Sequence, residues 1–114
     1  MSKWAFINDD FILEETAGIH FRDLALQRGY GVFDFFKIAE STPVFLEQHL
    51  QRFFYSAQQL HLPAGRTKEE LKAIITELIA KNNMADAGIR MTLTGGYSAD
   101  GYQAAKRYSK HLVF

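Results

Sequence analysis

Three polar residues, His49, Arg52 and Ser56, are separated by three and four positions within one stretch of the sequence. In an α-helix such residues share a face, and here it differs from the face formed by the apolar residues. The planar guanidinium of an arginine binds a phosphate or carboxylate through two parallel, charge-assisted hydrogen bonds. Taken alone, the pattern leaves two roles open for Arg52: an anion-binding residue, or an exposed arginine paired with a carboxylate.

A segment rich in glycine precedes the second feature, an alternating stretch of aromatic and charged residues. Gly29 and Gly31 predict a tight turn into a strand, because glycine adopts backbone angles that a Cβ disfavours. Side chains of a strand alternate between its two faces. One face then carries Phe33, Phe35 and Lys37, and the other carries Val32, Asp34, Phe36 and Ile38. The lysine beside two rings indicates a face that borders a cavity or solvent.

The remaining residues bear on two other kinds of site, a phosphate-binding loop and a metal site. The segment Thr94-Gly95-Gly96 offers backbone N–H groups to a phosphate, but the fingerprint of a phosphate-binding loop is missing, and an ordinary loop is the alternative. A metal site needs several histidines or carboxylates at short spacing. The four histidines are scattered, so we expect no metal site; they are His20, His49, His61 and His111.

The composition limits the classes of protein that fit. With 114 residues, of which 47% are hydrophobic, the chain can form one buried core and is expected to be one domain. Thirteen basic and 13 acidic residues cancel, which argues against nucleic acid or a membrane as partner. There is no cysteine and no apolar run of the roughly 20 residues that a membrane span needs. We expect no signal peptide, because Asp9 and Asp10 come before any apolar core of the necessary length. We expect a soluble, cytoplasmic protein.

Hydrophobic patterns predict the elements that position these residues. Residues 4–7 and 11–13 form a first hairpin around the turn formers of residues 8–10. Residues 14–26 are predicted to be a loop with a short turn at residues 20–23. The strand over residues 32–39 reverses through residues 40–43 into residues 44–45, which predicts a second hairpin.

Two helices and two further strands follow in the prediction. Apolar residues recur every three or four positions from Leu46 to Leu60, and this helix ends before Pro63. Thr67 and Glu70 predict a capping box at the start of a second helix, which ends near residues 82–83. Residues 89–93 and 111–114 are predicted strands, and the last lacks a stop signal, so we expect the native protein to continue. This order predicts an α+β, two-layer sandwich: a mainly antiparallel sheet covered by two helices.

Three segments in register resemble a known family. They are Arg28-Gly29-Tyr30-Gly31-Val32-Phe33-Asp34, then His49-Leu50-Gln51-Arg52-Phe53 followed by Ser56-Ala57, then Gly88-Ile89-Arg90 leading to Thr94-Gly95-Gly96. Together they resemble the N-terminal domain of class IV aminotransferases. These fold-type IV pyridoxal-phosphate enzymes include branched-chain aminotransferases, D-amino acid aminotransferases and 4-amino-4-deoxychorismate lyase. The resemblance covers almost the whole chain, so residues 1–114 are expected to be the N-terminal, small domain of such a protein.

The resemblance implies roles for individual residues. Arg52 matches the arginine that holds the phosphate of pyridoxal 5'-phosphate. Arg90 matches a strand position where a cation meets the substrate carboxylate, and the loop over residues 95–101 matches a segment that closes the pocket, often across a dimer interface. The residues implied for substrate binding are Phe33, Phe35, Lys37, Arg90, Gly96 and Tyr97. The implied substrates are an amino acid and a 2-oxo acid, and the implied assembly is a homodimer.

Several positions depart from the family pattern. Tyr30 stands where many members have an acidic or small residue, and Gly88 stands where branched-chain enzymes commonly carry a tyrosine. The arginine and histidine with which D-amino acid aminotransferases bind the substrate carboxylate have no match, because Asp100 and Tyr102 fall near those positions. The resemblance therefore leaves the identity of the substrate open.

The lysine that forms the Schiff base in this family lies in the C-terminal domain, well beyond position 114. Lys106 and Lys110 come too early to match it. We therefore expect no catalytic residue in this chain, and no activity from the chain alone. The predicted function of the complete protein is amino-group transfer between a branched-chain or D-amino acid and a 2-oxo acid. The alternatives are an aminodeoxychorismate lyase and a non-enzymatic α+β module that binds an anion or a partner.

Overall fold

A computed structural model describes residues 3–96 and 112–113 as one antiparallel sheet with helices. The strands are β1 (Trp4–Ile7), β2 (Asp10–Leu13), β3 (Gly31–Ala39), β4 (Thr42–Pro43), β5 (Ala87–Thr94) and β6 (Leu112–Val113). The helices are α1 (Leu24–Arg28), α2 (Leu46–Gln59) and α3 (Lys68–Asn82), with one 3₁₀ turn at Glu14–Thr16. The strand order is β2-β1-β6-β5-β3-β4, and each pairing is antiparallel. The predicted α+β class is confirmed.

The helices α2 and α3 cover one face of this sheet. Buried residues of α2 and α3 form one core with the inward residues of β3 and β5; they include Leu50, Phe53, Leu71, Ile75, Phe36, Ile38 and Met91. Along β3 the burial alternates as predicted: Phe36 and Ile38 are 1% and 2% exposed, whereas Phe33 and Phe35 are 63% and 50% exposed. The predicted division of this strand into a helix-facing and an open face is therefore confirmed.

The start of α3 also agrees with the sequence. The Thr67 hydroxyl accepts a hydrogen bond from the Glu70 N–H at 3.1 Å, and the Glu70 carboxylate accepts one from the Thr67 N–H at 2.9 Å. This reciprocal pair satisfies two N–H groups that a helix start leaves without an internal partner.

In the part of the chain that the structure describes, no helix combines the length and apolarity needed to cross a membrane.

The loop predicted over residues 14–26 is wrong at both ends. The 3₁₀ turn occupies its beginning, and α1 begins at Leu24, where the Asp23 carboxylate accepts a hydrogen bond from the Ala25 N–H at 2.8 Å. Gly29 ends α1 in the left-handed conformation, with φ of 70°. A helix of five residues is too short to show a periodic apolar pattern, but aspartate before it and glycine after it are regular start and stop signals.

The sequence suggested that Gly31 belongs to the turn that leads into the strand. In the structure Gly31 is instead the first residue of β3. A Cβ there would lie 3.0 Å from the carbonyl oxygen of Leu93 and 3.1 Å from Cβ of Ala25. Glycine is thus required by the close approach of α1 and β5 to this backbone.

The second hairpin returns earlier than predicted. Its turn is Glu40–Ser41, both with positive φ (51° and 63°), and β4 pairs Thr42 with Ala39. A two-residue turn of this kind matches the twist of the flanking strands. Because β4 covers only the end of β3, the outer edge of β3 is left open beside Asp34.

Candidate functional site

Arg52 is held by a carboxylate from the neighbouring strand. Its Nε donates a hydrogen bond to Oδ2 of Asp34 at 2.7 Å, and its Nη2 donates one to Oδ1 at 2.8 Å. The Asp34 side chain is 2% exposed, whereas that of Arg52 is 65% exposed. The pairing is therefore a bidentate one between a buried carboxylate on β3 and a largely exposed guanidinium on α2.

His49 contributes a third hydrogen bond to the same carboxylate. Its Nδ1 lies 2.8 Å from Oδ1 of Asp34 and 3.3 Å from Nη2 of Arg52. A deprotonated carboxylate can only accept, so Nδ1 carries the proton and donates to Asp34. It then cannot accept from Arg52, and their approach is a contact only. The ring of His49 also packs against Phe36, with centroids 5.5 Å apart.

These partners lower the pKa of Asp34 below its ordinary value. The hydrogen bond from Arg52 is the largest cause, burial of the carboxyl opposes it, and the hydrogen bond from His49 adds to it. The same pairing raises the pKa of Arg52 above its ordinary value. Asp34 is therefore ionised at neutral pH despite its burial.

This shift predicts how acid affects stability. Asp34 has a lower pKa in the folded chain, so it stabilises folding above its unfolded pKa of roughly 4, and the contribution is lost as the pH falls toward the folded value. We expect the difference in free energy of unfolding between the wild type and Asp34→Asn to be largest at neutral pH and to shrink below about pH 4. Urea unfolding of both at several pH values measures it, and a pH-independent difference would contradict the pairing.

A cleft of about 310 Å³ adjoins this ion pair at the open edge of β3. It is lined by Phe33, Asp34, Phe35, Arg52 and Ser56. The structure thus brings together three of the predicted site residues, and it places Ser56 beside Arg52 as the helical spacing indicated. Lys37 and Arg90 lie on the open face of the sheet, and Gly96 follows the end of β5.

The unused part of the guanidinium determines what this cleft can bind. Arginine has five N–H donors, and Asp34 accepts one from Nε and one from Nη2. Three N–H groups therefore remain: two on the edge formed by Nη1 and Nη2, and one more on Nη1, on a side chain that is mostly exposed. These donors suit the oxygens of a phosphate or carboxylate, so the residues present fit the phosphate of the implied cofactor.

Lys37 and Arg90 lie on the open face of the sheet. Arg90 is directly opposite Phe35 in the β3–β5 pairing, and its guanidinium carbon is 5.2 Å from the ring centroid of Phe33. Within the described residues, neither cation has a carboxylate oxygen within 4.0 Å. Arg90 and Gly88 also line a second cleft, of about 420 Å³, which is bordered by β1, β5 and the end of α3. The open face therefore combines two aromatic rings with two cations.

The segment from Thr94 to Gly96 does not form the phosphate cradle considered from the sequence. The Gly95 N–H donates to the carbonyl of Tyr30 at 2.9 Å, and the Gly96 N–H donates to the Thr94 hydroxyl at 3.1 Å. That hydroxyl donates to the buried carboxylate of Asp23 at 2.7 Å. Both glycine N–H groups are therefore engaged within the protein, which favours the ordinary loop over the phosphate-binding segment.

Two residues predicted to bind the substrate are found here: Gly96 ends this segment, and Tyr97 is the next residue in the sequence. Gly96 is buried, and its carbonyl also accepts a hydrogen bond from the Leu24 N–H at 2.6 Å. Tyr97 lies outside the described residues, so its role stays a prediction.

Sequence reasoning missed Asp34 as a member of the site, although a signal was present. The alternation of β3 places this carboxylate on the helix-facing side, where an unpaired charge would be costly. This cost predicts a cation on the covering helix that pairs with Asp34. His49 and Arg52, which share one face of α2, are the residues that do so. Within residues 3–96 and 112–113, no group of three or more metal-ligating side chains occurs.

Known proteins are similar in sequence to this chain. The family model for amino-transferase class IV matches residues 31–114. The D-alanine aminotransferase of Staphylococcus epidermidis is 30% identical over 91 residues, covering 80% of this chain and 32% of the relative. The aminodeoxychorismate lyase of Bacillus subtilis is 26% identical over 110 residues, covering 95% of this chain and 37% of the relative.

Solved structures agree with these sequence matches. The branched-chain amino acid aminotransferase of Escherichia coli matches with a TM-score of 0.88 and 26% identity, covering 99% of this chain and 38% of that structure. The T.th. branched-chain amino acid aminotransferase with pyridoxamine 5'-phosphate matches with a TM-score of 0.87 and 25% identity, at the same coverage. The chain therefore spans about a third of the length of its relatives. Since the family model matches well over half of its residues, the chain belongs to the class IV aminotransferase family.

Proposed function

We propose that the complete protein is a pyridoxal 5'-phosphate-dependent aminotransferase and that this chain is its N-terminal, small domain. It transfers an amino group between an amino acid, of the branched-chain or D-amino acid type, and a 2-oxo acid. The single observation that carries the proposal is the open Nη1–Nη2 edge of Arg52 in the cleft at β3, in a chain of this family. The relatives named D-alanine aminotransferase and branched-chain amino acid aminotransferase support it.

Arg52 would bind the phosphate of the cofactor through this edge. Asp34 offsets part of the charge of Arg52, so the direction of the N–H groups contributes to binding together with the net charge. A dianionic phosphate then needs further donors, which the rest of the complete protein would supply. Pyridoxal phosphate, when bound, supplies the electron sink for the reaction, and the protein supplies binding, orientation and electrostatics. The lysine linked to the cofactor would come from the C-terminal domain.

The open face of β3 and β5 would receive the substrate. Phe33 and Phe35 offer apolar contacts, while Lys37 and Arg90 offer cations to a carboxylate. A carboxylate bound there would be oriented relative to the cleft that holds the cofactor phosphate, because Phe33 and Phe35 border both regions. Gly96 and Tyr97 remain proposed members of the pocket. We further propose a homodimer located in the cytoplasm.

Gly88 gives a test of this substrate face. A Cβ on Gly88 would overlap the ring of Phe35, whose Cε2 would lie 2.7 Å away. Because the ring is half-exposed, Gly88→Ala should tilt it at a cost in stability of less than about 1 kcal/mol. We expect a several-fold change in KM for the amino acid and little change in Tm. Gly18→Ala is the matched control, since a Cβ at Gly18 meets no atom within 4 Å; equal KM values in both variants would contradict this role.

Amino transfer itself tests the proposed function. The complete protein, loaded with pyridoxal phosphate, is incubated with 2-oxoglutarate and either branched-chain L-amino acids or D-alanine. Formation of glutamate supports the proposal and reports which amino acid is the donor. No cofactor binding and no transfer from any donor would overturn it.

A second candidate is aminodeoxychorismate lyase. The match to the Bacillus subtilis enzyme of that name favours it, because it covers 95% of this chain. A lyase releases pyruvate from aminodeoxychorismate without an acceptor, whereas an aminotransferase requires a 2-oxo acid. Measuring pyruvate from this substrate with and without a 2-oxo acid separates the two activities.

A further inference from the structure

We infer that Asp34 is the positioning residue of the phosphate site: it fixes the guanidinium of Arg52 so that the Nη1–Nη2 edge points to the bound phosphate. This inference rests on the proposed function. Asp34 would not touch the phosphate itself. It would act through Arg52, by occupying the one edge of the guanidinium that must turn away from the ligand.

Asp34 is held more rigidly than Arg52, so Asp34 fixes the position of Arg52 and not the reverse. Asp34 lies in the middle of β3, paired with Met91 of β5, and its side chain is 2% exposed. Arg52 projects from α2 with a side chain that is 65% exposed. A long exposed arginine samples many rotamers, and binding must otherwise restrict them. The buried carboxylate therefore holds the arginine.

His49 completes the arrangement from the helix. Its Nδ1–H donates to Oδ1 of Asp34, the same oxygen that accepts from Nη2 of Arg52, while Oδ2 accepts from Nε alone. With three donors at two oxygens, the carboxylate has little freedom to rotate. The ring of His49 is itself packed against buried Phe36, which anchors the network to the core.

Charge alone makes the opposite prediction. If Asp34 only neutralised Arg52, its removal would leave a stronger cation and tighten the binding of phosphate. If it positions Arg52, its removal would weaken the binding. Asp34→Asn distinguishes the two because the amide keeps the shape of the side chain but can accept from only one of the two arginine donors.

The experiment measures the affinity of the complete apoprotein for pyridoxal phosphate and for pyridoxal, which lacks the phosphate. We expect Asp34→Asn to raise the Kd for pyridoxal phosphate roughly tenfold and to leave that for pyridoxal within about twofold. In an Arg52→Ala background the same substitution should have no further effect, because the residue through which it acts is gone. Asp34→Glu, which keeps both acceptors, should recover part of the affinity.

Arg52→Lys provides a variant at an exposed position, should Asp34→Asn fold poorly. An ammonium keeps the charge but has no second edge, so we expect Arg52→Lys to bind pyridoxal phosphate nearly as weakly as Arg52→Ala. Unchanged or tighter binding by Asp34→Asn, equal losses for both compounds, or wild-type affinity in Arg52→Lys would each overturn the inference. If the wild type bound both compounds equally, the proposed function would fail, and this inference with it.

Discussion

Replacing Arg52 with alanine should lower the affinity of the complete protein for pyridoxal phosphate about 100-fold. Each charge-assisted hydrogen bond contributes about 1.5–3 kcal/mol, and the open edge of the guanidinium can form two. Because Asp34 offsets part of the charge, we use the low end of this range, about 3 kcal/mol in total, which corresponds to about 100-fold in Kd. Titration of the apoprotein, followed by absorbance, measures the change.

The control for this variant is Lys68→Ala. Lys68 is also a partly exposed cation, but it lies at the start of α3 and pairs with Glu47 at 3.2 Å. Its loss should leave the cofactor affinity within about twofold, since exposed ion pairs contribute little. Pyridoxal should bind equally to all three proteins. Similar retention of pyridoxal phosphate by the two variants would remove Arg52 from the cofactor site.

The parts of the fold that were predicted correctly depend on patterns long enough to repeat. The apolar positions of α2 and the alternation along β3 each use several residues with one period, and the capping box of α3 is a pair of residues at a fixed local spacing. The parts that were wrong are short: α1 has five residues and β4 has two. Short elements depend on contacts from elsewhere in the chain, such as the hydrogen bond from Leu24 to Gly96, which no local pattern contains.

The same reasoning explains what could be predicted of the site. The spacing on α2 was sufficient to group His49, Arg52 and Ser56, because it follows from helix geometry alone. It was not sufficient to show that Asp34 takes one edge of Arg52, since that depends on how α2 packs on β3. For this reason the two roles left open for Arg52, a salt-bridge partner and an anion-binding residue, need not exclude each other.

The adjacent phenylalanines of β3 should give opposite results when each is changed to alanine. Phe36 is 1% exposed and packs in the core between sheet and helices, so its truncation leaves a cavity and should cost about 3–5 kcal/mol in free energy of unfolding. Phe35 is 50% exposed on the other face, so its truncation should cost less than about 1 kcal/mol. Urea unfolding of the chain, which at this size is expected to be two-state, measures both values.

The effects on substrate binding should have the opposite order: Phe35→Ala should change KM for the amino acid more than Phe36→Ala does. Phe35→Ala removes the ring that borders both the cleft and the proposed substrate face, so we expect KM for the amino acid to rise in the complete protein. Phe36→Ala should change KM for the amino acid less in the remaining folded fraction, because its ring does not line the cleft and contacts the phosphate site only through His49. A larger loss of stability from Phe35→Ala than from Phe36→Ala would contradict the assignment of the two faces of β3. Equal KM values for the two variants would not contradict the assignment of the faces, but they would indicate that the substrate binds at another surface.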